Sequence, residues 1–207
     1  MAATSRTSPP TPVEAQPRPG LRERKKLKTR MAIRRSTYRL IAEQGYDATT
    51  IEQIAEAAEV SPSTVFRYFA TKEDIVLTDE YDPLMEAAIR NRPADEPPLR
   101  SLRFVVTEAL LAAEEEELRR RTRLMVEVPA IRARISETMS DTAKVLARVL
   151  ADRGGRSADD LEVRVCVAAV LGALLEVRLH WGEHGHEGDL IAMVDQALDT
   201  LEGGLTL

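Results

Sequence analysis

Two short helical segments joined by a tight turn, within residues 50–69, constrain the fold of this chain more than any other feature. Thr50 is followed three residues later by Gln53, which is the spacing of a capping box at a helix N-terminus. Ser61 and Pro62 then stand where an N-cap serine and a first-turn proline open a second helix. The pattern therefore predicts two short consecutive helices with only a tight turn between them.

A third helix is predicted immediately before this pair. Its inward positions recur with the spacing of one helix face: Ile33, Thr37, Leu40 and Ile41. Gly45 follows and would end the helix, because glycine adopts positive φ at low cost. Three helices with a tight turn between the last two are typical of a helix-turn-helix unit, which places its final helix in the major groove of DNA.

Charge is distributed unevenly along the chain. Residues 1–72 carry a formal charge of +6 and residues 73–207 carry −11, for a net charge of −5. Nine of the residues from Arg22 to Arg39 are basic and one is acidic. A basic head on an acidic body favours a polyanion as partner of the head alone, although the same bias could arise on solvated faces without a partner.

Composition sets the broad class. A chain of 207 residues with 43% hydrophobic and 30% charged residues is typical of a soluble globular protein of one or two domains. Its apolar runs are too short for a membrane span, and its first residues do not resemble a signal peptide. The single cysteine, Cys166, excludes an internal disulfide, so we expect a cytoplasmic protein with no membrane partner.

The sequence divides into three predicted regions. Residues 1–20 contain five prolines and are expected to form a disordered arm. Residues 21–75 are predicted to form a helix-turn-helix DNA-binding domain, and residues 76–207 a second domain, for which the family resemblance described next implies effector binding and dimerisation. The predicted fold is all-α, with about nine helices, because period-two alternation is lacking. One helix over residues 71–90 would connect the two domains, and another would run over about residues 99–121.

The motifs in this head resemble a known family. Residues 49–58, Val60-Ser61, residues 64–69 and residues 72–74 are similar to the N-terminal domain of the TetR family of transcription regulators. The resemblance is dense over residues 30–80 and beyond them rests on helix number and length. It implies a homodimer, a palindromic operator in double-stranded DNA and an effector pocket in the second domain. One departure is Glu59, where the family often has glycine in the turn.

The resemblance aligns residues 61–68 with the recognition helix and Lys72 with a phosphate-contacting lysine. Arg67 and Tyr68 can hydrogen-bond to bases or phosphates, and Phe66 can contact a thymine methyl group. The candidate DNA-contacting residues are Thr49, Thr50, Ser61, Pro62, Ser63, Thr64, Phe66, Arg67, Tyr68 and Lys72. The basic residues of a predicted arm are Arg22, Arg24, Lys25, Lys26 and Lys28. This arm is predicted to follow the DNA backbone or to enter the minor groove. The alternative is that it is a solvated tail.

The body is predicted to provide the dimer interface. Residues 163–175 contain one charge, Arg164, so this helix should face its own core on one side and a partner chain on the other. A stripe on the last helix would complete a four-helix interface: Ile191, Val194, Leu198 and Leu201. A fully buried helix in a monomer is the alternative.

A small, mainly apolar ligand is expected in the body. The candidate ligand-binding residues are Phe104, Leu124, Met125, Val128, Met139, Leu171 and Trp181. Each of them could equally belong to the ordinary apolar core. His180, His184 and His186 lie close together, but three nearby glycines favour an inert loop, so no metal site is assigned. The sequence has no glycine-rich phosphate loop and no nucleophile–base pattern, so we predict neither an enzyme nor a cofactor.

These features predict a DNA-binding regulator, most simply a repressor that a small molecule releases from its operator. The alternative keeps the DNA-binding head and makes the C-terminal domain a protein-interaction module without a small-molecule effector. A closed apolar cavity in residues 80–200 would distinguish the two.

Overall fold

The structure is a computed structural model that describes residues 21–78 and 82–205. The predicted disordered arm, residues 1–20, lies outside the described residues. The described part contains ten helices and no strand, which confirms the all-α class with one helix more than expected. The helices are α1 Leu21–Gln44, α2 Ile51–Ala57, α3 Pro62–Tyr68, α4 Lys72–Leu77, α5 Asp82–Arg90, α6 Pro98–Ala112, α7 Glu115–Glu127, α8 Pro129–Gly154, α9 Leu161–Glu183 and α10 Leu190–Glu202.

The head is built as its capping residues predict. The Thr50 hydroxyl accepts a hydrogen bond from the Gln53 amide, and the Gln53 side chain accepts one from the Thr50 amide. Ser61 caps α3 in the same way through the amide of Thr64. Helices α1 to α4 enclose a small apolar core: Ile33, Ile54, Ala55, Val65, Phe69 and Ile75. This core holds the two short helices in fixed relation to the long α1.

The helix predicted over residues 71–90 is in fact two helices. Helix α4 ends at Leu77 and α5 begins at Asp82. Arginines from neighbouring helices hydrogen-bond the carbonyls at the end of α4: Arg34 of α1 donates to those of Ile75 and Thr78, and Arg121 of α7 donates to that of Leu77. These side chains satisfy carbonyls that have no intrahelical partner at a helix end.

The helix predicted over residues 99–121 is also divided. Helix α6 ends at Ala112, and α7 begins at Glu115 after two residues in extended conformation. In the acidic run at residues 114–117, Glu114 is the N-cap and the other three glutamates lie in the first turn of α7. Carboxylates are favourable there because a helix N-terminus carries partial positive charge.

The body contains two apolar clusters. The α7 cluster lies among α1, α4, α7 and α8, and its buried members are Tyr38, Val76, Leu77, Leu124, Met125, Ile131 and Ile135. The α10 cluster lies among α5, α6, α8, α9 and α10, and includes Ile89, Leu102, Val105, Leu146, Val149, Val167, Val170, Val194 and Leu198. No helix in the described ranges is both long enough and apolar enough to cross a membrane.

Two predictions for the last two helices need correction. Val194 and Leu198 of the predicted interface stripe are buried in the subunit's own α10 cluster, because α10 packs that face against α9 and α6. Gly182, predicted to lie in a loop, belongs to α9. A Cβ atom at Gly182 would lie 2.7 Å from Thr122 Cγ2 of α7, so the glycine permits close packing of α9 on α7.

Candidate DNA-binding surface and ligand cavity

Helix α3 presents one face to the protein and the other to solvent. Val65, and Phe69 directly after the end of α3, anchor the helix in the head core. Ser61, Pro62 and Ser63 are exposed at its start. Phe66 is 54% exposed, which is high for an aromatic side chain of its size. The exposed face therefore combines short side chains at the N-terminus with larger ones further along, a shape that suits insertion into a DNA groove.

The hydroxyl groups at the start of α3 form a small polar cluster. Ser61 Oγ lies 2.8 Å from Ser63 Oγ and 2.9 Å from Thr64 Oγ1. Further along, the Arg67 guanidinium lies 5.2 Å from the centre of the Tyr68 ring. These hydroxyl and guanidinium groups are the donor types that contact phosphates and base edges.

Two predicted DNA-contacting residues have structural roles. The Thr49 side chain is buried and its hydroxyl donates to the Gly45 carbonyl at 2.8 Å, so this side chain does not reach the surface. Lys72 Nζ donates to the carbonyls of Tyr46 and Thr49 at 2.7 and 2.8 Å and thereby ties α4 to the turn after α1. An ammonium group has three donors, so a phosphate contact by Lys72 stays a prediction.

The turn between α2 and α3 accommodates Glu59 with positive φ. Glu59 has a φ of 56°, in the left-handed region that favours glycine. Its amide donates to the Glu56 carbonyl and the Val60 amide donates to the Ala55 carbonyl, which is the Schellman arrangement. The turn thus forms without a glycine, at a cost of roughly 1–2 kcal/mol for a residue with a Cβ atom.

The basic residues predicted to form an arm belong to the first two turns of α1. Arg22, Arg24, Lys25, Lys26 and Lys28 are all exposed and helical, so this segment is not an extended arm. A groove on the surface brings Arg22, Lys25 and Lys26 together with Arg67 and Tyr68 at the end of α3. Cations of α1 and the recognition helix therefore share one surface.

A cavity of about 350 Å³ lies between the head and the body. Helices α5, α6, α8 and α9 supply most of its walls, and Tyr68, Phe69 and Asp74 of the head border it on one side. Its lining is mainly apolar, with a polar end where Arg134 of α8 donates to the Asp74 carboxylate at 3.2 Å and also to Glu137. A ligand in this cavity would contact both domains.

Of the predicted ligand-binding residues, only Leu171 borders this cavity. Leu124 and Met125 are buried in the α7 cluster, and Val128 and Met139 pack against it. Trp181 is buried against His186, with 4.6 Å between ring centres. Phe104 is 44% exposed and lies under the guanidinium of Arg92. Six of the seven predicted residues therefore lie away from this cavity, because helical periodicity identifies inward faces without showing where helices leave space between them.

The three histidines do not converge on one point. The rings of His180 and His184 lie 4.0 Å apart, whereas His186 is buried beside Trp181. Burial, together with the charges of Arg123 and Arg119, lowers the pKa of His186. Within residues 21–78 and 82–205, no group of three or more His, Cys, Asp or Glu side chains is placed to hold a metal ion. Burial raises the pKa of the half-buried Cys166 thiol.

Comparison with known proteins decides the family. Residues 33–78 match the family model described as bacterial regulatory proteins of the tetR family, and residues 96–206 match the model described as the MftR C-terminal domain. The chain belongs to the TetR family. It is therefore a DNA-binding transcriptional regulator, with the helix-turn-helix head and helical body described above.

Individual relatives agree with this assignment. The regulator TcmR of Streptomyces glaucescens is 38% identical over 152 residues, which cover 69% of this chain and 67% of TcmR. The fatty acid metabolism regulator protein of Bacillus subtilis (strain 168) is 25% identical over 84% of this chain and 94% of its own length. The crystal structure of the regulator FadR from Bacillus subtilis in complex with stearoyl-CoA covers 85% of this chain and 99% of that chain, with 25% identity and a TM-score of 0.56.

Proposed function

We propose that this regulator is a homodimeric repressor that binds a palindromic operator through α3 and releases it when a small, mainly apolar molecule enters the cavity. The observation that carries the proposal is the position of the cavity, which has residues of the head on one wall and residues of the body on the others. A ligand that fits better when the two domains are shifted apart would favour that conformation and so weaken DNA binding.

The size and lining of the cavity support a small-molecule effector. A volume of about 350 Å³ lies at the lower end of the range for small-molecule pockets. The related FadR structure contains stearoyl-CoA, so a regulator with this fold can hold a ligand that carries a long aliphatic chain. Both observations favour a ligand-responsive body over a protein-interaction module without an effector.

The exposed face of α9 supports a homodimer. This face exposes four residues, three of which are apolar: Val165, Ala168, Ala169 and Gly172. A shallow groove between α9 and α10 continues it past Glu176 and His180. Small residues permit close approach of a second helix pair, so we place the partner subunit here rather than on the stripe predicted from the sequence.

Sedimentation would test the interface. Gly172→Arg should convert the dimer to a monomer, because the long cationic side chain would project into the interface. Ser140→Arg, on the exposed face of α8, is the matched control and should leave the dimer intact. A dimeric Gly172→Arg protein would place the interface elsewhere.

Operator binding can be tested on the genomic DNA fragments that the protein retains. Arg67→Ala should weaken binding by about 1–3 kcal/mol, because this exposed cation lies on the recognition helix. Arg148→Ala removes an exposed cation from α8 and should change nothing. Equal DNA affinity of Arg67→Ala and Arg148→Ala would contradict the assignment of α3.

The double variant Lys25→Gln/Lys26→Gln should lower the slope of the salt dependence of DNA binding by about 2, since each phosphate contact contributes about 0.9 to that slope.

A further inference from the structure

The lining of the cavity combines two kinds of side chain. One part is aliphatic and includes Leu102, Val105, Val106, Leu146 and Val170, all of which are buried except the half-buried Val106. Four carboxylates also border the cavity, Asp74, Glu86, Glu137 and Asp141; the side chains of Glu137 and Asp141 are 61% and 71% exposed and mark its mouth, the side open to solvent. Among the described residues that border the cavity, Arg134 is the one cation. An occupant of this space therefore meets an apolar chamber with an excess of negative charge at its mouth.

Arg134 is already engaged by two of these carboxylates. It donates to Asp74 at 3.2 Å and to Glu137, and its side chain is 29% exposed while that of Asp74 is only 12% exposed. An anionic ligand would have to displace these partners and would then lie among the remaining carboxylates. Both effects oppose binding, because like charges at short range repel most strongly where water is partly excluded.

A cationic group would meet the opposite situation. Glu86 and Asp141 are paired only with Arg90 and Lys144, whose side chains are 50% and 69% exposed. Exposed pairs of this kind contribute little free energy and exchange partners readily. A ligand cation at the mouth can therefore gain carboxylate partners without leaving a protein charge buried and unpaired.

Given the proposed function of the cavity, we propose that its effector is a cationic amphiphile, with an aliphatic body in the chamber and a protonated amine at the carboxylate mouth. The ammonium group lies beside Asp74 and Glu137 and shares their carboxylate oxygens with Arg134, so that no charge is left unpaired. Asp74 belongs to α4, where its side chain also accepts a hydrogen bond from the Thr71 amide in the capping box. Weakening the contact between Asp74 and Arg134 loosens the tie between α4 of the head and α8 of the body.

Three probes of equal chain length test the ligand class. Octylamine, octanol and octanoate would each be titrated at pH 7 against the full-length dimer preloaded with the neutral fluorescent probe N-phenyl-1-naphthylamine. Octylamine should bind at least tenfold more tightly than octanoate, with octanol between them. Octanoate binding as tightly as octylamine would overturn the proposed charge preference and leave the cavity as the ligand site. Failure of all three probes to bind would overturn this inference and the proposed function together.

Variants at the mouth locate the effect. Glu137→Gln should weaken octylamine binding severalfold and leave octanol binding unchanged, and its carboxylate is exposed enough for the fold to tolerate the change. Asp152→Asn, an exposed carboxylate farther along α8, is the matched control and should alter neither probe. Asp74→Asn should have the larger effect, and circular dichroism would check its folding because it alters the α4 cap. Unchanged octylamine affinity in Glu137→Gln would overturn the proposed position of the amine.

Discussion

The two apolar clusters of the body differ in how completely they are filled. The α7 cluster is a packed core in which Ile131 is fully buried, and Gly182 lets α9 close tightly on α7. The α10 cluster borders the cavity, where α8 presents the short side chains of Thr138, Thr142 and Val145. The same residue types thus form a core on one side and a chamber on the other. Helix spacing and side-chain length decide which. Both sides contact the head, the filled one through Tyr38, Val76 and Leu77.

The largest expected effect is loss of packing in the filled cluster. Ile131→Ala should lower the free energy of unfolding by about 2–5 kcal/mol, because it removes a side chain that is surrounded on all sides. Val145→Ala, on the same helix, should cost about 1 kcal/mol or less, because its side chain already borders empty space. Chemical denaturation of both variants measures the difference. Equal losses would mean that the two sides of the body are packed alike.

Enlarging the same two side chains should again be tolerated better at Val145 than at Ile131. Ile131→Phe should destabilise the protein by about 1–3 kcal/mol, because the filled cluster has no room for the ring. Val145→Phe should leave stability nearly unchanged and abolish binding of N-phenyl-1-naphthylamine, because the ring occupies the cavity. Thermal melts and fluorescence titrations check both. Retained probe binding in Val145→Phe would place the probe outside this cavity.

The contact between α7 and α9 gives a smaller effect. Gly182→Ala should cost about 1–2 kcal/mol, because the new Cβ atom would lie 2.7 Å from Thr122 Cγ2 and 2.9 Å from Val126 Cγ2. Gly154→Ala, where the nearest atom lies 3.8 Å away, is the matched helical glycine and should be neutral or stabilising by up to about 1 kcal/mol. A Gly182→Ala protein as stable as the wild type would show that the filled side can relax.

The smallest expected effect is a dependence of stability on pH. Because burial lowers the pKa of His186 in the folded protein, the unfolded chain binds more protons as pH falls below about 6.5. Stability should therefore decrease as pH falls through that value towards the lowered pKa. His186→Asn, which tolerates the positive φ of this position, should flatten the dependence, and the exposed His184→Asn should not. A dependence that persists in His186→Asn would have another origin.

The head could be predicted closely from the sequence because its signals are local. The N-caps Thr50, Ser61 and Thr71 lie where the capping patterns place them, and Gly45 ends α1 with a φ of 85°. What the sequence did not reveal is that Thr49 points inward and that Lys72 binds two carbonyls. Both facts depend on the path of the turn after α1, which no pattern in those residues encodes.

The body was less predictable because its determinants are not local. The break after Leu77 depends on Arg34 and Arg121, which come from α1 and α7 and lie 41 or more residues away along the chain. The cavity lies where six helices, α3 to α6 together with α8 and α9, leave space between them. Residues of one apolar stripe can therefore belong either to the core or to the cavity lining. Leu171 lines the cavity, whereas Leu124 and Met125 belong to the filled cluster.

The central claim is that occupation of the cavity weakens the hold of the head on DNA. The most direct test is operator affinity, measured by fluorescence anisotropy with and without octylamine, for the wild type and for Val145→Phe. Octylamine should raise the dissociation constant of the wild type by about five- to 150-fold and leave that of Val145→Phe unchanged. A wild-type dissociation constant that octylamine does not alter, or an equal rise in both proteins, would contradict this claim.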